Sequence, residues 1–435
     1  MSDLAPGSNL TDAVAAIAAG RSTARELAEM HLARVAATDA AVQAWAHLDP
    51  AHVRAAAVRC DQAPARERGA LAGIGVGVKD VFATVDQPTE NGSLIFAGRR
   101  PTRDADCVTR LRRAGGYVFG KTVTAEMAYF HPGKTRNPWN VAHTPGGSSS
   151  GSAAAVAAGQ ILCAIGTQTN GSVIRPAAFC GVVGFKPTKD AMPWLGAFTF
   201  SPTLDQVGTF ARDVAGAALL ASALAEAGRV ARSPAPLDGP PRLAYLPGFP
   251  WTSIERDAAL ALDAAVAKLR RHGAEVKPVE YPAEWRDAQL MHGTIMLHEA
   301  AAVLGELQER ERDRMSSALN AALDEGAAMT RSSYDAARRR RDDAIAAFSA
   351  WLAGFDAIVS PPARGAAPAG LASTGDPACC TLWTLLGFPA ISIPIGLAPD
   401  GLPLGMQLAA PPGADDRLLA VARWCEAQIP FAPLA

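Results

Sequence analysis

The chain has 435 residues, with 41 lysines and arginines against 42 aspartates and glutamates and a net charge of −1. That balance gives no expectation of a strongly basic face for nucleic acid or acidic lipid, although a local patch could hide in a balanced total, and the length buries enough surface to fold without disulfides or a structural metal. The seven cysteines lie scattered in mostly apolar stretches, with no Cys-x-x-Cys pair or Cys/His zinc spacing, so buried reduced thiols are expected.

The first twenty residues are mildly polar and lack the basic start and apolar centre of a leader peptide. No run approaches the ~18 uninterrupted apolar residues of a membrane span, so a cytoplasmic location is the expectation. Residues 10–37 read as two helices broken at Gly20-Arg21-Ser22, the second opened by a Thr23-x-x-Glu26 capping box. Near Leu71 the pattern shifts to short apolar strands and turns, and a strand over Gly73 to Val78 ends at Lys79. Gly115 to Thr122 matches the phosphate-binding-loop pattern. However, that loop must follow a strand and open a helix. Here a helix-like Val108 to Arg113 precedes it and Tyr117-Val118-Phe119 reads as the strand itself, which argues against nucleotide binding.

The stretch Thr144 to Ser152 is a Gly/Ser run, followed by an Ala-rich helix over 153–158, a strand over Ile161 to Ile165, and Gly166-Thr167-Gln168-Thr169-Asn170-Gly171-Ser172. Residues 229–241, rich in Pro, Ala and Gly, read as a surface connection. Strand Leu243 to Leu246, a helix capped by Thr252 or Ser253 and ended at Gly273, and strand Val276 to Val279 form a βαβ unit with parallel strands. Residues 285–352 are helical and charged. Their run Arg338 to Arg341 is followed at once by Asp342 and Asp343 and reads as a solvated helix face. Strands at 357–359, 390–393 and 404–408 and a final helix at about 415–427 close the chain.

By composition alone the Gly/Ser run suits a flexible linker. Its small residues on both sides of a tight helix suit, equally, a backbone that approaches a ligand. Amides around Thr169-Asn170-Gly171-Ser172 could hold a developing oxyanion, with Ser172 presenting its hydroxyl there. A serine needs a base. His143 is near in sequence and has polar packing as its other reading. Lys79, at a strand end, would act as a base if burial lowered its pKa, and is otherwise a surface lysine.

Together these stretches resemble the amidase signature family. The resemblance rests on Gly146 to Ser152, Gly166 to Ser172, Pro176 to Thr188, Val78-Lys79-Asp80, Gly387 to Pro394 and Asp400 to Pro403, and it thins between about 285 and 350. It implies a Ser–Ser–Lys triad with Ser172 as nucleophile, Ser148 as proton relay and Lys79 as base. It also implies a cis Gly147–Ser148 bond and an oxyanion hole from the amides of Thr169, Asn170, Gly171 and Ser172. No metal or cofactor is implied. Tyr129 and Phe130, with Trp194, the 290–300 helix and Cys379 to Trp383, would border the pocket, and Gly147, Ser149 and Arg175 join Tyr129 and Phe130 as substrate-binding candidates. Gln168, Asn170 and Ser150 depart from the commoner Asp, Gly and Gly. Arg175 could pair with a substrate carboxylate or brace the loop through backbone carbonyls, with bracing favoured.

The expected fold is a single large α/β domain over 1–435, its central mixed, mostly parallel sheet covered by helices on both faces. Within it lie N-terminal helices at about 8–60, a signature core at about 70–215 and a variable helical region at about 285–352. The expected activity is cleavage of an amide-type C–N bond, with carbamates or esters as further substrates. The alternative is an amidotransferase-type subunit that releases ammonia to a partner protein. A small-molecule amide substrate, no nucleic acid, no membrane and a homodimeric default complete the reading.

Overall fold

Strands that alternate apolar contacts on both faces need helices on both sides, and this chain supplies them. The computed structural model describes residues 8–64 and 68–434; the polar start read at residues 1–7 lies outside them. In chain order the strands are β1 (Trp45–His47), β2 (Gly75–Lys79), β3 (Tyr117–Thr122), β4 (Cys163–Gln168), β5 (Val183–Lys186), β6 (Gln206–Ala211), β7 (Arg242–Tyr245), β8 (Glu275–Pro278), β9 (Ala357–Ser360), β10 (Ala390–Leu397) and β11 (Pro403–Ala409). They form one sheet in the order β1-β3-β2-β4-β6-β5-β10-β11-β9-β7-β8.

The helices among the described residues are α1 (Leu10–Ala18), α2 (Ala24–Val42), α3 (Pro50–Gln62), α4 (Asp106–Arg113), α5 (Ser150–Ala157), α6 (Ile174–Cys180), α7 (Val214–Leu224), α8 (Arg256–Arg271), α9 (Ala288–Glu311), α10 (Ser317–Ala328), α11 (Arg331–Trp351), α12 (Thr381–Leu386) and α13 (Asp415–Gln428). Every residue of β2, β3, β4 and β6 is buried. Successive side chains of a strand point to opposite faces, so Val118 joins the cluster packed with α4 and α7 while Phe119 joins the cluster packed with α2, α3 and α5. A third cluster, under α9 to α12, covers the part of the sheet that holds Ala244, Ile358 and Ala390.

The capping box at Thr23 and Glu26 forms, with both side chains bonded to the reciprocal backbone amides. The βαβ unit also forms, β7 pairing parallel with β8 across α8. Its cap does not: α8 starts after Glu255 without a side-chain cap. Arg364 reaches the Ser253 carbonyl and hydroxyl, and the Glu255 amide donates to Arg364 O, so tertiary contacts take the groups a cap would use.

The sheet is mixed, but the expected parallel majority is not found. Among the described residues four pairings are parallel (β2 with β3 and β4, β7 with β8 and β9) and six are antiparallel. The reason lies in the middle: β6 and β10 run against their neighbours on both sides, which βαβ spacing elsewhere in the chain does not reveal. The Arg338–Arg341 run lies on the surface, with the Arg338 and Arg340 side chains 41% and 48% exposed and Arg341 turned in at 11%. Arg338 reaches Tyr334 and Glu299, Arg340 pairs with Asp287 over the Trp285 ring, and Arg341 donates to Leu385 O.

The small helix α5 decides how closely the Gly/Ser run approaches the sheet. A Cβ on Gly151 would sit 2.2 Å from Ala44 O and 2.4 Å from Val123 N. Only the missing side chain lets the Gly151 amide donate to Val123 O at 3.0 Å. Gly151→Ala should therefore destabilise the protein by about 2 kcal/mol or more, as overpacking does. Denaturant titration checks it; an unchanged midpoint would show that α5 can move outward freely.

Candidate active site

Parallel strands β2 and β4 lie side by side, and their C-terminal ends bring two distant motifs together. Lys79 ends β2 and is fully buried. Its Nζ lies 2.7 Å from Ser148 Oγ and 2.7 Å from Thr167 Oγ1 of β4. Burial removes the hydration of an ammonium and holds the Lys79 pKa well below its ordinary value, with the opposing pull of Asp205 the smaller effect. A neutral amine keeps a lone pair into which a hydroxyl can donate.

Ser148 follows a cis Gly147–Ser148 peptide. The rest of the serine run is bonded rather than free, which removes the linker reading. Ser149 Oγ donates to Thr167 O and accepts from Thr167 N, Ser150 Oγ donates to Val123 O, and Ser152 Oγ donates to Ile165 O. These hydroxyls stitch the run to β4 and to the chain after β3.

The second motif is a loop from β4 into α6. Gln168, where a carboxylate is commoner, accepts from the amides of Val173 (2.7 Å) and Ile174 (3.0 Å) and donates to Thr384 Oγ1 (2.9 Å). It thereby caps the start of α6 without adding charge. Thr169 Oγ1 donates to the buried Asp205 at 2.5 Å, and Asp205 also accepts from the amides of Phe200 and Ser201. Burial raises Asp205 to about 6. Asn170 Oδ1 accepts from Thr381, and His292 Nε2 sits 2.9 Å from Thr169 O. The amides of Asn170, Gly171 and Ser172 meet no acceptor among the described residues.

These residues line a small recess together with Tyr129, Phe130, Phe200 and Met296. Tyr129 stacks on Phe200 at 5.1 Å and meets Phe130 edge-on at 4.8 Å, giving one apolar wall. Arg175 reaches the same recess. Its Nε donates to Thr374 O, its Nη2 to Gly147 O at 2.7 Å, and its buried Nη1 has no partner among the described residues. Burial lowers this guanidinium to about 10.

Of the sequence candidates, Lys79 and Ser148 meet directly, while Thr169 to Ser172, Arg175, Tyr129 and Phe130 share the recess. Gly147 and Ser149 are not among its lining residues: Gly147 O accepts from Arg175, and Ser149 Oγ bonds the Thr167 backbone. Trp194 lies elsewhere, bonded to Thr199, and His143 bonds Ala367 O in a separate loop. Six cysteines are buried and Cys60 is half-buried, all as free thiols. Among the described residues no three His, Cys, Asp or Glu side chains could hold a metal ion, and no helix is long and apolar enough to cross a membrane. Thr167 falls within the Gly166 to Ser172 motif without a role having been read for it. Asp205, His292 and Thr384 carry no local pattern, and Thr384 joins the site from 216 residues beyond Gln168.

The amidase family model matches residues 26–419. The chain is similar to a glutamyl-tRNA(Gln) amidotransferase subunit from Salinispora arenicola, at 36% identity over 96% of this chain and 97% of that protein. The identically named protein from Anaeromyxobacter sp. (strain K) is 34% identical over 97% and 96% of the two chains. Among solved structures, the peptide amidase of Stenotrophomonas maltophilia superposes with a TM-score of 0.84 at 29% identity, covering 98% of each chain.

The names of these two relatives overturn the expectation of a small-molecule amide substrate with no nucleic acid involved. The physical reason is plain: the motifs report the groups around the scissile bond and say nothing of what the acyl or amine carries.

The burial of Lys79 generates a test of its own. Unfolded, the lysine titrates at about 10.4; folded, it titrates well below that. Its contribution to stability is therefore complete above the unfolded pKa and lost as pH falls toward the folded one. The melting temperature of the parent, measured against Lys79→Met, should rise steadily from pH 7 to pH 10. A flat difference would mean that Lys79 stays charged inside the sheet.

Proposed function

The chain belongs to the amidase family, and on that premise we propose that it cleaves an amide C–N bond through an acyl-enzyme on Ser172 and releases ammonia to a partner protein, in the manner of an amidotransferase component. The observation that carries the chemical half of this reading is the 2.7 Å contact between buried Lys79 and Ser148. The relatives' shared name and near-full-length match support the other half.

In the first step neutral Lys79 takes the Ser148 proton as Ser148 takes the Ser172 proton, and Ser172 Oγ attacks the amide carbonyl. The carbonyl oxygen gains negative charge, which the amides of the 169–172 loop stabilise without reorganising. Collapse of the tetrahedral intermediate breaks the C–N bond, and the proton returns from Lys79 through Ser148 to the departing nitrogen. Water, deprotonated by the same relay, then frees the acid. Arg175 acts twice: Nε and Nη2 brace Thr374 and the Gly147 carbonyl, and the unpartnered Nη1 receives an acceptor of the substrate. Tyr129 and Phe130 hold the apolar part of the acyl group.

A second reading, complete hydrolysis by the chain alone, is favoured by the likeness to the peptide amidase. One experiment separates the two. Ammonia and amine release is followed from glutamine, anilides, carbamates and short esters, with the chain alone and co-expressed with the other components of a glutamyl-tRNA(Gln) amidotransferase. Turnover that needs the partners supports the amidotransferase reading, and turnover by the chain alone supports hydrolysis. Ser172→Ala should lose at least about 10³-fold in either case, and Lys79→Ala about 10²–10⁴-fold. Undiminished activity in Ser172→Ala would sink both readings.

A further inference from the structure

An oxyanion hole works only if its peptide planes are held still before charge develops. Two carbonyls in the 168–172 loop are gripped from outside. Asn170 O accepts from Thr384 Oγ1 at 2.5 Å, and Thr169 O lies 2.9 Å from His292 Nε2. A carbonyl only accepts, so the contact makes His292 the Nε2–H tautomer, a neutral ring donating one hydrogen bond. His292 is 1% exposed, and burial lowers its pKa to about 4, which keeps that form across the neutral range.

The Thr169–Asn170 peptide is trans, since the one cis bond among the described residues is Gly147–Ser148. In a planar trans peptide the carbonyl and the following N–H point in opposite directions. A Thr169 carbonyl held toward His292 therefore turns the Asn170 N–H away from it. That N–H has no acceptor among the described residues, and Asn170 lines the recess.

We infer that His292 is a positioning residue: it fixes the Thr169–Asn170 peptide plane and so aims the Asn170 amide at the developing oxyanion. The inference rests on the proposed acyl-enzyme chemistry at Ser172. It also assigns a task to α9, which lies where the sequence resemblance thins. The same helix holds the neighbouring wall through Glu299, whose carboxylate accepts from Ser201 Oγ at 2.6 Å and from the Thr203 amide at 2.9 Å. Both ends of the segment that feeds Phe200 and Asp205 into the site are thus tied to structures that touch the nucleophile loop.

The test compares His292→Leu, which removes the donor and keeps apolar bulk, with His292→Gln, whose amide can place a donor near the same point. The readouts are kcat and KM on p-nitrophenyl butyrate and the rate at which a rhodamine-tagged fluorophosphonate labels the protein, since that reaction also develops a charged oxygen beside the serine. His292→Leu should lose about 10-fold or more in kcat and in labelling rate, with KM within about twofold, and His292→Gln should recover to within about threefold of the parent. Unchanged kcat and labelling in His292→Leu would overturn the inference. Equal losses in both variants would also overturn it, because they would mark a packing role. Ser172→Ala serves as the separate control: labelling that persisted there would count against the Ser172 chemistry itself.

Discussion

A lysine amine shut away from bulk solvent is the constraint on which the rest of this structure depends. Lys79 can be buried because β2 is flanked by β3 and β4 and both faces of the sheet are covered, so no solvent reaches its Nζ. The cost of leaving water falls on the charged form. What meets the amine is two hydroxyls, Ser148 and Thr167, and neither demands a charge. The nearest influential carboxylate, Asp205, is spread over three hydrogen bonds to Thr169, Phe200 and Ser201 and only partly counters the burial.

The second requirement is a rigid loop beside that amine, and it is met by side chains rather than by regular structure. Gln168 closes the start of α6, Thr381 and Thr384 reach in from α12, and Arg175 ties the Ser148 loop to Thr374. Each of these groups is buried or nearly so, where an unmade hydrogen bond is expensive. The loop therefore has few alternative arrangements that keep its polar atoms paired.

Much of this was readable in the sequence, and the reason is spacing. The Gly/Ser run, the second serine motif and the strand ending at Lys79 sit close to the turns that place them, and the capping box at Thr23 forms as a local rule says it should. The directions of β6 and β10 were not readable, because a strand's partner is chosen by the whole sheet. Asp205, His292 and Thr384 escaped for a related reason: a lone residue in an ordinary helix or turn carries no mark of the distant backbone atom that it bonds. The role of Gln168 lay between these cases, visible as a departure from the family pattern but explained only by the two amides that it accepts from.

The replacement of a carboxylate by Gln168 has an effect beyond its own hydrogen bonds. Gln168 offers an amide there, and the Lys79 amine meets the hydroxyls of Ser148 and Thr167 while burial disfavours its charged form. At about 0.1 M salt, interactions between exposed charges are screened over a Debye length of about 10 Å, and those between buried groups much less. Ionic strength can therefore reach this chain at its surface pairs, such as Arg54 with Glu29 and Arg312 with Asp324, while the buried contacts of Lys79 with Ser148 and Thr167 are screened much less.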